Sequence, residues 1–188
     1  MKGSFSHLLR NVVASVRRPR GLASAGSGMS IAFPRIVRGR AHIAIGTNSH
    51  VSSNSWIECF VRYGEDNFDP RIEIGDNVQI GRFLTLTAIT NIRIGNGCLF
   101  SEHVYISDHA HDVFGIEDTP LVQRRLLAKG PVTIGDFCFL GFRAIVMPGV
   151  NLGNRCVVGA GSVVTKSFPD DSVVAGVPAR LIRNLNDD

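Results

Sequence analysis

The stretch IGDFCFLGFRAIVMPGVNLGNRCVVGAGSVV, residues 134–164, carries an aliphatic side chain at every sixth position. The six positions are Ile134, Leu140, Val146, Leu152, Val158 and Val164. A helix repeats about every 3.6 residues and a strand every two, so neither produces this spacing. A chain that turns a corner after each short strand does produce it. Glycine follows four of the six positions, where it relieves a tight corner.

The same six-residue spacing recurs toward the N-terminus. Its earlier positions are Ile45, Val51 and Ile57, then Ile74, Ile80 and Leu86, then Ile94, Phe100 and Ile106. Three such hexads make one triangular coil of 18 residues, and stacked coils form three parallel sheets around an aliphatic core. We therefore predict an all-β domain, a parallel β-helix over residues 41–188. Residues 1–40 are predicted to hold a short amphipathic helix and a Gly/Ser-rich linker at 21–30.

The repeat is interrupted at three places. The step from Ile57 to Ile74 contains a polar stretch at residues 63–70, and the step from Leu86 to Ile94 is two residues too long. The third interruption, an extruded loop over residues 107–131, opens with the sequence Ser-Asp-His-Ala-His-Asp. Because a long excursion in a compact repeat domain usually serves function, this loop is the main candidate for a site.

Composition excludes some functional classes. The net charge of +4 is divided between the two ends of the chain, which argues against a nucleic-acid groove. No uncharged apolar run reaches 18 residues, which argues against a membrane span. The N-terminal segment leaves a peripheral membrane contact open as an alternative.

The four cysteines form no Cys-x-x-Cys pair. Cys98, Cys138 and Cys156 each follow a periodic aliphatic by four residues, a slot that takes small side chains, while Cys59 lies outside that register. We expect free buried thiols and a cytoplasmic location.

The run from Ile134 to Arg183 resembles the hexapeptide-repeat acyltransferases. The phrases GAGSVVTK and VVAGVPAR are the most specific, and the likeness is closest to the galactoside and maltose O-acetyltransferases and their polysaccharide-modifying relatives. It is strong over residues 72–183, loose over 42–60 and absent before that. The resemblance implies a left-handed β-helix, a homotrimer, and acetyl-CoA bound in clefts between neighbouring subunits. It also implies transfer of an acetyl group from acetyl-CoA to a hydroxyl of a saccharide.

Acetyl transfer to a hydroxyl needs a base, and imidazole suits this role because its ordinary pKa is about 6.5. Aligned without gaps from Val104-x-Ile106, the family's catalytic histidine falls on His111, with His109 as the second candidate. In an extended segment the two histidines share one face, and Asp108 points away from both.

The resemblance also assigns residues to coenzyme A. They are Ala160, Thr165, Lys166, Arg180 and Arg183. Where close relatives carry Trp and a small residue such as Ser, this chain has Phe139-Leu140-Gly141-Phe142. A backbone N–H near Gly141 and Phe142 then replaces the missing hydroxyl as oxyanion donor, or the Phe142 ring narrows the acyl channel or reduces activity.

Three other functions remain open. An amino-sugar nitrogen is the alternative acceptor, and residues 112–130 and 63–70 are expected to border the acceptor site in either case. A non-catalytic β-helix assembly module is a second alternative. The third is a γ-carbonic-anhydrase-like protein, in which three histidines bind zinc. Here His103, His109 and His111 lie six and two residues apart, unlike the separated set of that class, so no metal is expected.

Overall fold

The computed structural model describes residues 20–114 and 118–187. Its strands are short and follow the hexads. In chain order they are β1 Ser24–Ala25, β2 Ser30–Ile31, β3 Ile36–Arg38, β4 Ile43–Ile45, β5 His50–Val51, β6 Trp56–Cys59, β7 Arg62–Tyr63, β8 Asp66–Asn67, β9 Arg71–Ile74, β10 Gln79–Ile80, β11 Thr85–Ala88, β12 Asn91–Ile94, β13 Leu99–Phe100, β14 Tyr105–Ser107, β15 His109–His111, β16 Leu126–Ala128, β17 Val132–Ile134, β18 Phe139–Leu140, β19 Ile145–Val146, β20 Asn151–Leu152, β21 Val157–Val158, β22 Val163–Val164, β23 Ser172–Gly176 and β24 Ala179–Asn184. Single 3₁₀ turns lie at Arg40–His42 and Leu121–Gln123.

The chain visits three sheets in turn. Sheet I has the order β1-β4-β9-β12-β17-β20, sheet II the order β2-β5-β10-β13-β18-β21-β23-β24, and sheet III the order β22-β19-β14-β11-β6-β3. Neighbouring strands are parallel except at the terminal pair β23–β24, which is antiparallel. Equivalent positions of successive coils pair directly, as with Ile94 and Ile134 or Phe100 and Leu140. The prediction of parallel sheets built from hexads is therefore confirmed.

The periodic aliphatic side chains point inward and form one continuous core. Ile134, Leu140, Val146, Leu152 and Val158 are each at most 1% exposed. Full burial of such side chains contributes about 1.5–3 kcal/mol each. Arg93, which lies between the buried Ile92 and Ile94 in β12, points outward and is exposed. The six-residue period of the sequence is thus the period of the core.

Each corner between sheets I and II is closed against the next coil. An added Cβ at Gly135 would lie 2.6 Å from the carbonyl carbon of Gly153, so no other residue fits there without moving backbone. Asp136 follows Gly135, and at its equivalent in five coils a side-chain oxygen accepts an N–H from the preceding coil at 2.6–2.9 Å. These residues are Asp76, Asn96, Asp136, Asn154 and Asp170. They satisfy amides that the sheets leave unpaired.

The cysteines are free and buried, as predicted. The thiols of Cys98, Cys138 and Cys156 each donate to a backbone carbonyl of the following coil at 3.1–3.2 Å. Burial raises the pKa of Cys59 to about 12, so this thiol stays protonated. The cysteines therefore act as small core residues.

The linker prediction for residues 21–30 is wrong. β1, β2 and β3 pair in parallel with β4, β5 and β6, so this segment contributes to a further coil. Glycine and serine here serve corners, because the ideal Cβ of Gly26 would lie 2.3 Å from the Thr47 nitrogen. The predicted amphipathic helix and its peripheral membrane contact fall on residues 1–19, outside the described residues. Within the described residues, no helix is both long and apolar enough to cross a membrane.

Candidate active site

The extruded loop leaves the corner between sheets III and I and folds into a hairpin. β15 pairs antiparallel with β16, with His109 opposite Ala128 and His111 opposite Leu126. The Asp112 N–H donates to the Arg125 carbonyl at 3.0 Å, which extends this pairing toward the tip. Both histidines therefore lie on a strand that backbone hydrogen bonds hold in place.

Asp108 is the most buried polar residue of this region, with no exposed surface. One carboxylate oxygen accepts the Ile89 N–H at 2.9 Å, and the other accepts the Thr90 N–H at 2.8 Å and the Thr90 hydroxyl at 2.7 Å. His109 Nδ1 lies 2.9 Å from the first oxygen. Four donors therefore surround a carboxylate that has about four acceptor positions.

The expectation that Asp108 points away from both histidines is wrong. That expectation assumed one extended strand, but the chain turns sharply between β14 and β15, so strand alternation does not apply at Asp108. Ser107 braces the turn: its hydroxyl donates to the His109 carbonyl at 3.0 Å and accepts the His109 N–H at 3.3 Å. Asp108 and His109 consequently form a hydrogen-bonded pair.

The Asp108 carboxylate is held in its charged form. Burial alone would raise its pKa, but the hydrogen bonds from His109, Ile89 and Thr90 outweigh burial and hold the pKa below its ordinary value. A charged acceptor at Nδ1 selects the tautomer with the proton on Nδ1, which leaves the lone pair on Nε2.

His109 Nε2 reaches the protein surface. His109 is buried, 9% exposed, and Nε2 has no hydrogen-bond partner among the described residues. No buried side-chain nitrogen or oxygen of the described residues lacks a partner, so Nε2 must reach the surface. An oriented imidazole with an accessible lone pair has the geometry of a general base.

Asp108 predicts a pH dependence of stability. Because its pKa is lower in the folded protein, ionised Asp108 stabilises the fold above about pH 4, and this contribution is lost as the pH falls through the folded pKa. We expect Asp108→Asn to be less stable than the wild type at pH 7 and the difference to shrink below about pH 4. Urea unfolding between pH 3 and pH 7 measures it. A difference that does not vary with pH would contradict the prediction.

His111 differs from His109 in its exposure, in its hydrogen bonding and in the control of its tautomer. It is exposed, and it has no hydrogen-bond partner in the part of the chain that the structure describes. Its ring lies 5.5 Å from that of Tyr63, at 70°. Asp112, its neighbour, accepts the Phe114 N–H at 3.0 Å instead. Nothing among these contacts fixes a tautomer of His111.

Gly141, Phe142 and Ala160 lie together on a different corner, between sheets II and III. The Gly141 N–H donates to the Val158 carbonyl at 2.8 Å, so it is not free to bind an oxyanion. The Phe142 N–H has no partner among the residues described. The Phe142 ring is 42% exposed, beside the ring of His103 at 5.5 Å. Of the two candidate donors, Phe142 N–H is the available one.

This corner continues to the C-terminal hairpin. The Gly161 N–H donates to the Phe142 carbonyl at 2.7 Å, and the ideal Cβ of Gly159 would lie 3.0 Å from the Ala175 side chain of β23. Gly161 has open space where a side chain would be, which suits the close approach of a ligand. A small-residue surface therefore leads from Phe142 toward β23.

Arg180 and Arg183 lie on the antiparallel strand β24. Arg180 pairs with Ala175 and Arg183 with Val173, and a bulge between Val173 and Val174 adjusts the register. Directly opposed residues of an antiparallel pair share a face, so both exposed arginines lie on the outer face of sheet II. Residues 179–184 are thus a strand of sheet II.

Thr165 and Lys166 are also exposed, but they follow β22 at the corner between sheets III and I. The Lys166 ammonium lies 5.5 Å from the centre of the Phe168 ring. The candidate coenzyme residues are thus divided among two corners and the outer face of sheet II within one chain. His109 shares its corner with Lys166, two coils earlier, and not with Phe142.

Metal ligands are not grouped in the described residues, where no cluster contains three or more His, Cys, Asp or Glu in a suitable arrangement. His103 lies at the corner between sheets II and III, and its ring stacks on Phe83 at 4.5 Å. His109 and His111 are on the neighbouring corner, so these three histidines do not meet within the chain.

Asp108 was not among the residues predicted for the site, although the sequence carries a signal for it. The two-residue insertion between Leu86 and Ile94 lies one coil before the loop, and it contains Ile89 and Thr90. Their amides bind Asp108. The irregular spacings in two successive coils, from Leu86 to Ile94 and from Ile106 to Ile134, therefore mark residues that contact each other.

Comparison with known proteins agrees with this architecture. A family model described as the hexapeptide repeat of succinyl-transferase matches residues 131–166. The putative lipopolysaccharide biosynthesis O-acetyl transferase WbbJ of Escherichia coli is 34% identical over 161 residues, which cover 83% of this chain and 79% of that protein. The galactoside O-acetyltransferase of the same organism is 34% identical, over 73% of this chain and 64% of its own length.

A solved structure resembles the fold at lower identity. It is AntD, an N-acyltransferase from Bacillus cereus, in complex with dTDP and 3-hydroxybutyryl-CoA. The TM-score is 0.70, with 21% identity over 87% of this chain and 84% of AntD. This likeness concerns the fold.

Proposed function

The chain belongs to the hexapeptide-repeat acyltransferase family, and we propose that it transfers an acetyl group from acetyl-CoA to a hydroxyl of a saccharide. The observation that carries this proposal is the Asp108–His109 pair, a buried carboxylate that orients an imidazole whose Nε2 reaches the surface. The relatives named for O-acetyl transfer support the choice of a hydroxyl acceptor. The left-handed coil and a cytoplasmic location are part of the same proposal.

His109 acts as the base in this mechanism, in place of His111. Its Nε2 takes the proton of the acceptor hydroxyl as that oxygen attacks the thioester carbonyl. The same proton then passes to the coenzyme A sulfur as the carbon–sulfur bond breaks, so the products are the acetyl ester and the free thiol. Asp108 is a positioning residue: it holds the tautomer and stabilises the imidazolium.

The Phe142 N–H is proposed to stabilise the negative charge that develops on the thioester oxygen. Such donors stabilise the transition state most when the folded protein already directs them at the atom on which the charge develops. Because Phe142 and His109 lie on different corners of one chain, the two groups meet only if Phe142 belongs to a neighbouring subunit. The reaction centre is therefore proposed to lie between subunits.

A homotrimer agrees with the outer faces of the sheets. Sheet II exposes Leu99 and Phe139 in direct register, and sheet III exposes Tyr105 beside Ile145. Equivalent positions of sheet I are mainly polar, as with Arg93. Apolar outer faces favour association, and contacts between unlike faces close into a ring. Analytical ultracentrifugation tests the trimer.

Arg180 and Arg183, with Lys166, are proposed to bind the coenzyme A phosphates, and Ala160 and Thr165 to line its pantetheine arm. A hydrogen bond to a charged group contributes about 1.5–3 kcal/mol. We therefore expect the double variant Arg180→Ala, Arg183→Ala to raise KM for acetyl-CoA by about tenfold or more. Arg93→Ala, at an exposed position on sheet I, is the control. An unchanged KM would remove both arginines from the site.

A turnover screen tests the proposed function. Acetyl-CoA is supplied with a panel of sugars that includes methyl β-galactoside and glucosamine, and release of free thiol is measured. Release with a hydroxyl acceptor supports O-acetylation, whereas acetylation of glucosamine at nitrogen supports the amino-sugar alternative. No thiol release with any sugar, together with no binding of coenzyme A by calorimetry, would favour the assembly-module alternative.

A further inference from the structure

The first interruption of the repeat folds against the third, the extruded loop. Residues 60–70 contain the hairpin β7–β8, in which Arg62 pairs with Asn67 and Tyr63 with Asp66. The Tyr63 hydroxyl donates to the Val122 carbonyl of the extruded loop at 2.9 Å. The Arg125 guanidinium lies 3.3 Å from Asp66. Two separate insertions thus form one surface at the corner that carries His109.

Aromatic rings line this surface from the buried base outward. Phe60 lies 5.5 Å from the His109 ring at 83°, and Tyr63 lies 5.5 Å from the His111 ring at 70°. Phe60 and Tyr63 are 6.4 Å apart at 87°. Contacts at 70–87° are edge-to-face, so the edge of one ring meets the face of the next. The four rings form a continuous chain of contacts that runs from buried His109, through the partly exposed Phe60 and Tyr63, to exposed His111.

The spacing along β15 suits a ring-shaped acceptor. His109 and His111 are two residues apart on one strand, so they lie on one face and about 6.6 Å apart. This is the scale of one sugar residue. A sugar that rests against Tyr63 and His111 would present a hydroxyl to His109 Nε2 without losing contact with these rings.

The side chains also match the chemistry of a sugar. A pyranose has apolar C–H faces, which pack on aromatic rings, and hydroxyls, which need donors and acceptors. Tyr63 supplies an amphipathic ring. His111 is exposed, and both of its ring nitrogens are without a partner among the described residues, so they can donate to and accept from hydroxyls. His111 thus has the properties of a binding residue and lacks those of an oriented base.

We infer that Tyr63 and His111, backed by Phe60, form the acceptor subsite and hold a single pyranose ring against His109. This inference rests on the proposed function and adds to it the residues that select the acceptor. It also gives the two histidines separate roles. The two hairpins are held together by the Arg125–Asp66 pair and by the bond from Tyr63 to Val122.

Sugar binding without turnover tests this subsite. Saturation-transfer NMR with methyl β-galactoside and N-acetylglucosamine measures the dissociation constants for the wild-type chain and its variants. We expect Tyr63→Ala and His111→Ala to bind at least about tenfold more weakly. His109→Asn should bind within about threefold of the wild type. Tyr63→Phe is the matched control, because it keeps the ring and loses only the hydroxyl bond to Val122.

Each outcome decides the inference. Retained binding in Tyr63→Phe with lost binding in Tyr63→Ala supports it, whereas equal loss in both variants shows that Tyr63 only holds the loop, which overturns it. Unchanged binding in Tyr63→Ala, or no binding of either sugar by the wild type, also overturns it. Failure of the proposed function is a separate result, because it appears as sugar binding without thiol release from acetyl-CoA.

Discussion

Replacement of His109 by asparagine is expected to lower kcat by about 10²–10⁴-fold, the usual contribution of a positioned base. The physical reason is that, of the two histidines in the extruded loop, His109 is the one that combines an oriented Nδ1 with an Nε2 that reaches the surface. Asparagine keeps a polar group of similar reach toward Asp108, so the buried carboxylate retains a donor and the fold is expected to persist. Steady-state rates of thiol release at saturating acetyl-CoA and sugar measure the effect, with circular dichroism to verify folding.

The matched control is His111→Asn, on the same strand and face. We expect it to raise KM for the sugar while kcat stays within about tenfold of the wild type. If His109→Asn keeps a kcat near that of the wild type while His111→Asn loses most of its kcat, then His111 is the base.

Replacement of Leu152 by alanine is expected to lower the free energy of unfolding by about 2–5 kcal/mol. Leu152 is fully buried, and its strand pairs on one side with Ile134 while the residue itself bridges to Phe168 on the other. The aliphatic side chains of successive coils stack into one core, which the three sheets enclose. The backbone around Leu152 therefore cannot move inward to fill the cavity that alanine would leave. Denaturant unfolding at one fixed protein concentration measures the change, since an oligomer's apparent stability depends on concentration.

Asn151→Ala is the control for this prediction. Asn151 is the preceding residue of β20, is exposed, and points to the opposite face of the sheet. We expect its effect to lie within about 0.5 kcal/mol, as for most surface substitutions. Equal effects of the two substitutions would show that the six-residue positions do not form the core.

The coil could be predicted from sequence because its determinants are local and repeated. An inward residue at every sixth position, such as Ile134 and then Leu140, follows from the length of one strand and one corner. The same logic identified Cys98 and Cys138 as core residues, since the slot they occupy is small in each coil. It does not extend to residues 21–30, where the Gly/Ser-rich composition predicts a linker although a corner of the coil requires glycine, as at Gly26.

The site was harder to predict, because its contacts cross between coils. The sequence located the extruded loop and both histidines, and the two insertions that meet there. The partners of Asp108 are Ile89 and Thr90, which are 18–19 residues away along the chain and adjacent only after the coils stack. The alternation of side chains along a strand does not predict the direction of Asp108, because this buried residue lies in a turn.

The sequence by itself determined the period of the coil, the three parallel sheets, the buried thiols and the corner from which the loop departs. These properties depend on the order of neighbouring residues along the chain. Only the tertiary structure decided that Asp108 faces His109, that the Gly141 N–H is already bonded to Val158, and that Tyr63 meets His111. The physical reason is that hydrogen bonds and ring contacts form between neighbours in space, and in a stacked coil those neighbours are a full turn or more apart in the chain.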